Sequence, residues 1–150
     1  MGNNIKTALY KACKAFVSQR AKTIKDIISS NQKALASETK SSAGDKHETG
    51  RAMLQLEMEK AGQQLQSIEQ MQILLGKINI ESTSAIIKLG SVVMTDQEHY
   101  FLAISAGKIS LDGLDFYAVS PHSPIGKLLL GKLVGNTVTF NKPMLIKKVY

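Results

Sequence analysis

The sequence predicts an α+β protein. A helical hairpin of antiparallel coiled-coil type covers residues 1–80, and a small antiparallel β-sheet domain with one short helix covers 84–150. Three observations carry this. Residues 3–80 contain no proline and are dominated by Ala, Lys, Gln, Glu, Leu and Ile, all compatible with helix. The same stretch holds two apolar seams at coiled-coil spacing. After Thr83 the texture changes to short runs of Val, Ile, Tyr and Phe separated by glycines, a strand-and-turn pattern.

The first seam is Val17, Ala21, Ile24, Ile28, Asn31, Leu35, and the second is Leu54, Met58, Ala61, Leu65, Ile68, Gln72. Both advance by alternating steps of four and three, which keeps one narrow stripe facing a partner helix. Folded back, Leu35 meets Leu54, Asn31 meets Met58, Ile28 meets Ala61, Ile24 meets Leu65, Ala21 meets Ile68, and Val17 meets Gln72. All these pairs share one mirror point between Gly44 and Asp45, so the hairpin tip falls in 41–50. At 1.5 Å per residue the arm from Val17 to the tip is roughly 40 Å long. An earlier set, Ile5, Leu9, Ala12 and Phe16, is offset by one and extends the first helix towards or onto the second domain. Helices are expected near 4–42 and 45–78.

Lys11, Lys14, Lys22, Lys25, Lys33 and Lys40 fall beside the first seam in one arc about 100° wide. Such an arc is either a solvated flank or a basic track facing an anionic partner such as RNA or an acidic channel.

In the second half, strands are expected at 85–88, 91–96, 98–104, 114–119, 136–141 and 144–149. One short helix interrupts them, with Ser123 as N-cap, Pro124 in the first turn and Gly131 at its end. Gly126-Lys-Leu-Leu-Leu-Gly131-Lys132 approaches a phosphate loop. However, Leu133 stands where a magnesium-holding Ser or Thr is needed, and Leu128 to Leu130 read as helix.

Bulk properties exclude several classes. Cys13 is the one cysteine, so neither a disulfide framework nor a four-thiolate zinc site can form within the chain, and a reducing compartment is expected. No apolar run reaches the ~18 residues of a membrane helix. The start of the chain lacks a signal-peptide core, and Lys6 stands where myristoylation requires Ser or Thr. A cytoplasmic monomer with no membrane partner is expected. The net charge of +7 suits a polyanionic or acidic partner. His47, His99 and His122 share no metal-ligand spacing, and no nucleophile-elbow motif occurs, so no autonomous enzyme is visible.

The expected tip reads SSAGDKHETGR, residues 41–51. Asp45 and Glu48 have the spacing of a capping box, which places acceptors and negative charge at a helix N-terminus. The same two carboxylates, at the end of a long arm, are also suited to sharing a magnesium ion in a partner's site.

Two motifs resemble those of the Gre family of bacterial transcript-cleavage factors. Gly44-Asp-Lys-His-Glu48 resembles the family tip, Gly-Asp followed by two variable residues and Glu. Ser120 to Phe140, SPHSPIGKLLLGKLVGNTVTF, resembles the family's Ser-Pro, helix, Gly-Lys, Val-Gly, strand signature. The overlap spans essentially the whole chain. The family usually continues the tip with Asn-Ala-Glu-Tyr, where this chain has Thr49-Gly50-Arg51-Ala52, and Asn141-Lys142-Pro143 shortens a Gly-rich segment.

The resemblance implies a C-terminal domain of the FK506-binding-protein fold and a role as an RNA polymerase secondary-channel factor. His122, Ser123 and Pro124 would contact the channel rim. Asp45 and Glu48 would act beside the nascent RNA 3′ end, helping to hold magnesium shared with the polymerase, with no cofactor bound by the factor alone. The factor would stimulate the polymerase's own cleavage of backtracked RNA and rescue stalled elongation complexes without being an enzyme itself. The alternatives are a non-cleaving regulator that occupies the channel and a prolyl isomerase or chaperone on the same sheet fold.

Overall fold

The computed structural model describes the backbone of residues 2–40 and 45–150, and the side chains of residues 4–37 and 49–150. The chain is α+β: two long helices, α1 (Gly2–Lys40) and α2 (Asp45–Gly76), precede a six-stranded mixed sheet. The strands are β1 (Val92–Thr95), β2 (His99–Leu102), β3 (Gly107–Leu111), β4 (Leu114–Val119), β5 (Thr137–Phe140) and β6 (Lys142–Val149). A short helix, α3 (Pro124–Leu129), lies between β4 and β5. The residues group into two compact units, one of Val17–Met71 and one of Met1–Phe16 with Gln72–Tyr150.

In the Val17–Met71 unit every seam position is sheltered, whereas Gln72, the last of the second seam, is exposed and belongs to the other unit. Val17, Ala21, Ile24, Asn31, Ala61 and Ile68 are buried, and Ile28, Leu35, Leu54, Met58 and Leu65 are half-buried. The off-seam Met53 and Leu56 are exposed. Asn31 Nδ2 donates to Glu57 Oε2 at 3.3 Å, linking α1 to α2. A polar residue in such a seam fixes register at some cost in stability.

The other unit holds the sheet, in the order β3-β4-β2-β1-β6-β5. The expected antiparallel sheet is corrected here: β2 and β4 run parallel, with His99 to Leu102 beside Phe116 to Val119. The reason is an additional strand, β3, absent from the expected set, which pairs as a hairpin with β4, the strand expected at 114–119. The chain passes beyond β2's neighbouring position into β3, reverses at Asp112-Gly113, and returns as β4 in the β2 direction. Asp112 and Gly113 have φ of 49° and 79°, the left-handed pair a two-residue hairpin turn requires.

The expected strand 85–88 is also corrected. Only Ile87 pairs there, donating to Lys132 O and accepting from Gly131 N, both at 2.9 Å. One bridging residue fixes the segment without making a strand.

On one sheet face, Val93, Tyr100, Leu102, Val138, Met144 and Ile146 form a core with Ile87 and with Ile125 and Leu129 of α3. Val92 and Phe101, which alternate with Val93, Tyr100 and Leu102 and so face the opposite side, are fully buried as well. Leu9 and Cys13 of α1 and Leu75 of α2 are buried within the same unit. Lys6 and Tyr10 tie the α1 start to residues after the seam, donating to Ser82 O at 2.8 Å and Leu75 O at 3.0 Å.

Candidate functional site

The loop before α3 is closed by several short polar bonds. Ser123 is the N-cap, as the sequence predicts: its Oγ accepts from Gly126 N at 3.1 Å. The same hydroxyl donates to Ser120 O at 2.6 Å, and Ser123 N donates to that carbonyl at 3.1 Å. Ser120 Oγ in turn accepts from His122 N at 3.1 Å. Pro124 opens the helix, where its missing N–H costs nothing.

Gly126 explains why the loop can close. A Cβ there would sit 2.0 Å from Ser120 O and 2.9 Å from Pro121 Cα. The incoming backbone therefore crosses directly over Gly126, and no side chain fits. Pro121 is buried beneath this crossing, while His122 and Pro124 are exposed and Ser123 is half-buried.

These positions divide the expected contact residues into two kinds. The Ser123 hydroxyl is committed to the turn and the cap. His122 and Pro124 are exposed. Four apolar residues that follow in the sequence were not expected at the surface: Leu128, Leu130, Leu133 and Val134 are all exposed. Their signal was present, since Leu133 and Val134 lie beyond the helix and before β5, outside any run that alternates towards the core. Asn136 holds that segment, its Oδ1 accepting from Leu133 N at 2.8 Å.

The side chains of Asp45, Glu48 and Lys40 lie outside the described residues; the backbone of α2 begins at Asp45. In the Val17–Met71 unit Lys22, Lys25 and Lys33 are exposed on α1. In the other unit Lys11 and Lys14 are exposed as well, with Lys14 Nζ 5.7 Å from the Tyr10 ring centre. Among the described residues no group of three or more His, Cys, Asp or Glu side chains could hold a metal ion. Cys13 is fully buried, and burial pushes its thiol up to about 11, so it is a packing residue and a poor nucleophile. No described helix is long and apolar enough to cross a membrane.

A second feature was not anticipated. The sheet face beside α3 carries a hollow of about 510 Å³ lined by Tyr100, Tyr117, Val119, Ile125, Phe140 and Met144. Lys142 and Glu98 pair at 3.4 Å at its edge. Burial, then Glu98 and Tyr117, raise the Tyr100 hydroxyl above its ordinary value, so it remains protonated at neutral pH. The chain has few aromatic residues, four Phe and four Tyr with no Trp. The pleat nevertheless brings two of them together, because Tyr100 and Tyr117 sit opposite one another on β2 and β4. The hollow suits an apolar side chain or ring.

No family model matches the chain, and no curated protein matches it.

Proposed function

We propose that the protein is a bacterial RNA polymerase secondary-channel factor that stimulates cleavage of backtracked nascent RNA. In this reading α1 and α2 form an antiparallel coiled-coil hairpin, and the sheet with α3 is a domain of the FK506-binding-protein fold. The Asn31–Glu57 bond and the sheltered seam positions support the hairpin. The observation that carries the functional reading is the Ser120–Gly126 crossing. The residues that resemble the Gre signature are those whose chemistry the loop depends on: Ser123 bonded both ways and Gly126 with no room for a Cβ.

His122 and Pro124, with the exposed leucines beside them, would dock on the polymerase rim. The hairpin would enter the channel with its basic flank of Lys22, Lys25, Lys33 and Lys40 against acidic or RNA surfaces. Asp45 and Glu48 would help to hold a magnesium ion together with the polymerase and orient the attacking water. The polymerase would supply the other metal of a two-metal hydrolysis. The factor alone would hydrolyse nothing.

The deciding experiment is a cleavage assay on a stalled, backtracked elongation complex. The wild-type protein should accelerate cleavage. Asp45→Asn and Glu48→Gln should bind polymerase normally and lose the stimulation, because a neutral amide oxygen replaces a carboxylate that magnesium needs. His122→Ala with Pro124→Ala should weaken binding with the fold intact. The tip sequence Thr49-Gly50-Arg51-Ala52 favours a second reading, a non-cleaving factor that occupies the channel. Wild-type binding without stimulation would select it. The aromatic hollow gives the prolyl isomerase alternative its one supporting feature, and turnover of a proline peptide would select that instead.

A further inference from the structure

Three lysines converge on one small cavity in the sheet unit, on residues that the channel-factor reading does not use. The cavity is about 220 Å³ and is lined by Lys6, Lys77, Asn79, Ser82, Lys88 and Gly90, with Leu89 completing it. Lys6 rises from α1, Lys77 follows α2, and Lys88 precedes β1.

Lys6 is 3% exposed, so its side chain is packed into the unit and its ammonium is part-buried. A buried ammonium is costly unless it is paired and hydrogen-bonded. Its bond here is to a neutral acceptor, Ser82 O at 2.8 Å. Lys88 Nζ donates to the hydroxyl of the same residue, Ser82 Oγ, at 3.2 Å. Two cations are thus bonded to one serine, and among the described residues no carboxylate forms an ion pair with Lys6, Lys77 or Lys88. Burial, and then the charge of Lys88, hold the Lys6 ammonium below the usual lysine range. Packing alone gives no reason to gather these charges. Lysine is a point-charge binder of phosphate, and the Ser82 hydroxyl can rotate to donate to an anion.

We propose that the cavity lined by Lys6, Lys77, Ser82 and Lys88 is a binding site for a compact, multiply charged phosphoanion. The size supports this choice. The cavity is smaller than the roughly 300–1,000 Å³ of pockets that take drug-sized ligands, so it fits a terminal phosphate or a pyrophosphate and excludes a whole nucleotide. A dianion there would satisfy the idle donors of Lys6 and relieve the repulsion between Lys6 and Lys88. Bridging α1 to the segment after α2, it would stabilise the folded unit by linkage.

The test is calorimetric titration of the full-length protein with inorganic pyrophosphate at constant ionic strength. Amide shifts are recorded by NMR in parallel. Saturable one-to-one binding is expected, with shifts centred on Ser82, Leu89 and Gly90. The double variant Lys77→Gln and Lys88→Gln changes exposed residues and should fold normally. It should bind roughly tenfold or more weakly, having lost two charge contacts. Unchanged affinity in that variant, no saturable binding, or shifts confined to Lys22–Lys33 would each overturn the site. An RNA dinucleotide without a terminal phosphate forms a second arm. It should not compete; equal binding would mean that the lysines read a phosphodiester backbone, which rejects a compact dianion.

Discussion

The Val17–Met71 unit and the sheet unit bury apolar residues in different ways. In the first, a single seam does the burying. Its best-sheltered side chains retain a few per cent of exposure, and five of its positions are only half-buried. In the second, Phe101, Phe116, Leu102, Leu129 and Val93 are enclosed on every side and have none. A seam residue touches one facing helix, whereas a sheet residue touches neighbours on two strands and whatever covers its face. Equal truncations should therefore cost unequal amounts.

The largest effect follows directly. Phe101→Ala should destabilise the sheet unit by about 3–5 kcal/mol, since a fully enclosed ring leaves a cavity that cannot collapse. Ile24→Ala in the seam should cost about 2 kcal/mol, the low end of the range, because solvent and neighbouring side chains can fill the gap. Chemical denaturation of the two variants checks this. Equal losses would mean that the seam is as tightly packed as the sheet.

Cys13 provides the next test, as an internal reporter of the sheet unit. With its thiol raised to about 11, it should react very slowly with a disulfide reagent at pH 8, and quickly once denaturant is added. The sign of its stability term follows from the same shift. The folded state keeps the proton that an ordinary thiol, near 9, would release. The contribution is fully present below pH 9 and is lost as pH rises towards 11. Phe101→Ala should accelerate labelling more than Ile24→Ala does. The reverse order would show that Cys13 is protected by the seam.

How much could be read from the sequence differs between the units for the same physical reason. Steps of three and four are a local code, and the residues from Val17 to Ile68 that fall on them are buried or half-buried. The sheet is non-local. That β2 lies beside β4 depends on where β3 goes, and β3 was missed although Asp112-Gly113 is a strong two-residue turn signal. Gly107-Lys-Ile-Ser-Leu alternates correctly but is mostly exposed, an edge strand with a weak apolar signature. Around the candidate site, the Ser123 cap was legible because capping acts over three residues. The need for glycine at 126 is not legible in the sequence, because its close approach to Ser120 O appears only when the loop is folded. The phosphoanion cavity was invisible for the same reason: Lys6 and Lys88 are 82 positions apart and meet only at Ser82.

The cap itself is worth a moderate amount. Ser123→Ala removes the acceptor for Gly126 N and the donor to Ser120 O together, so a loss of about 1–2 kcal/mol is expected. His122→Ala, at an exposed position, should change stability by less than about 0.5 kcal/mol. Thermal melts of both variants separate the residue that builds the loop from the exposed one beside it.

The smallest predicted effect turns the comparison into a change of sign. Gly62 lies within α2, is exposed, and has nothing within 4 Å of where a Cβ would stand. Glycine in a helix interior costs roughly 0.5–1 kcal/mol relative to alanine, because the unfolded chain has more freedom to lose. Gly62→Ala should therefore stabilise the Val17–Met71 unit by about that amount. Gly113 has equally open space, yet its φ is +79°, in the left-handed region of the β3–β4 turn. There Gly113→Ala should destabilise the sheet unit by about 1 kcal/mol, because a Cβ strains that backbone wherever its neighbours are. Denaturant titrations of the two variants measure the pair. If Gly62→Ala instead lowers stability, open space around that glycine is needed by something that packs on α2, and the exposed face of the helix is not merely solvated.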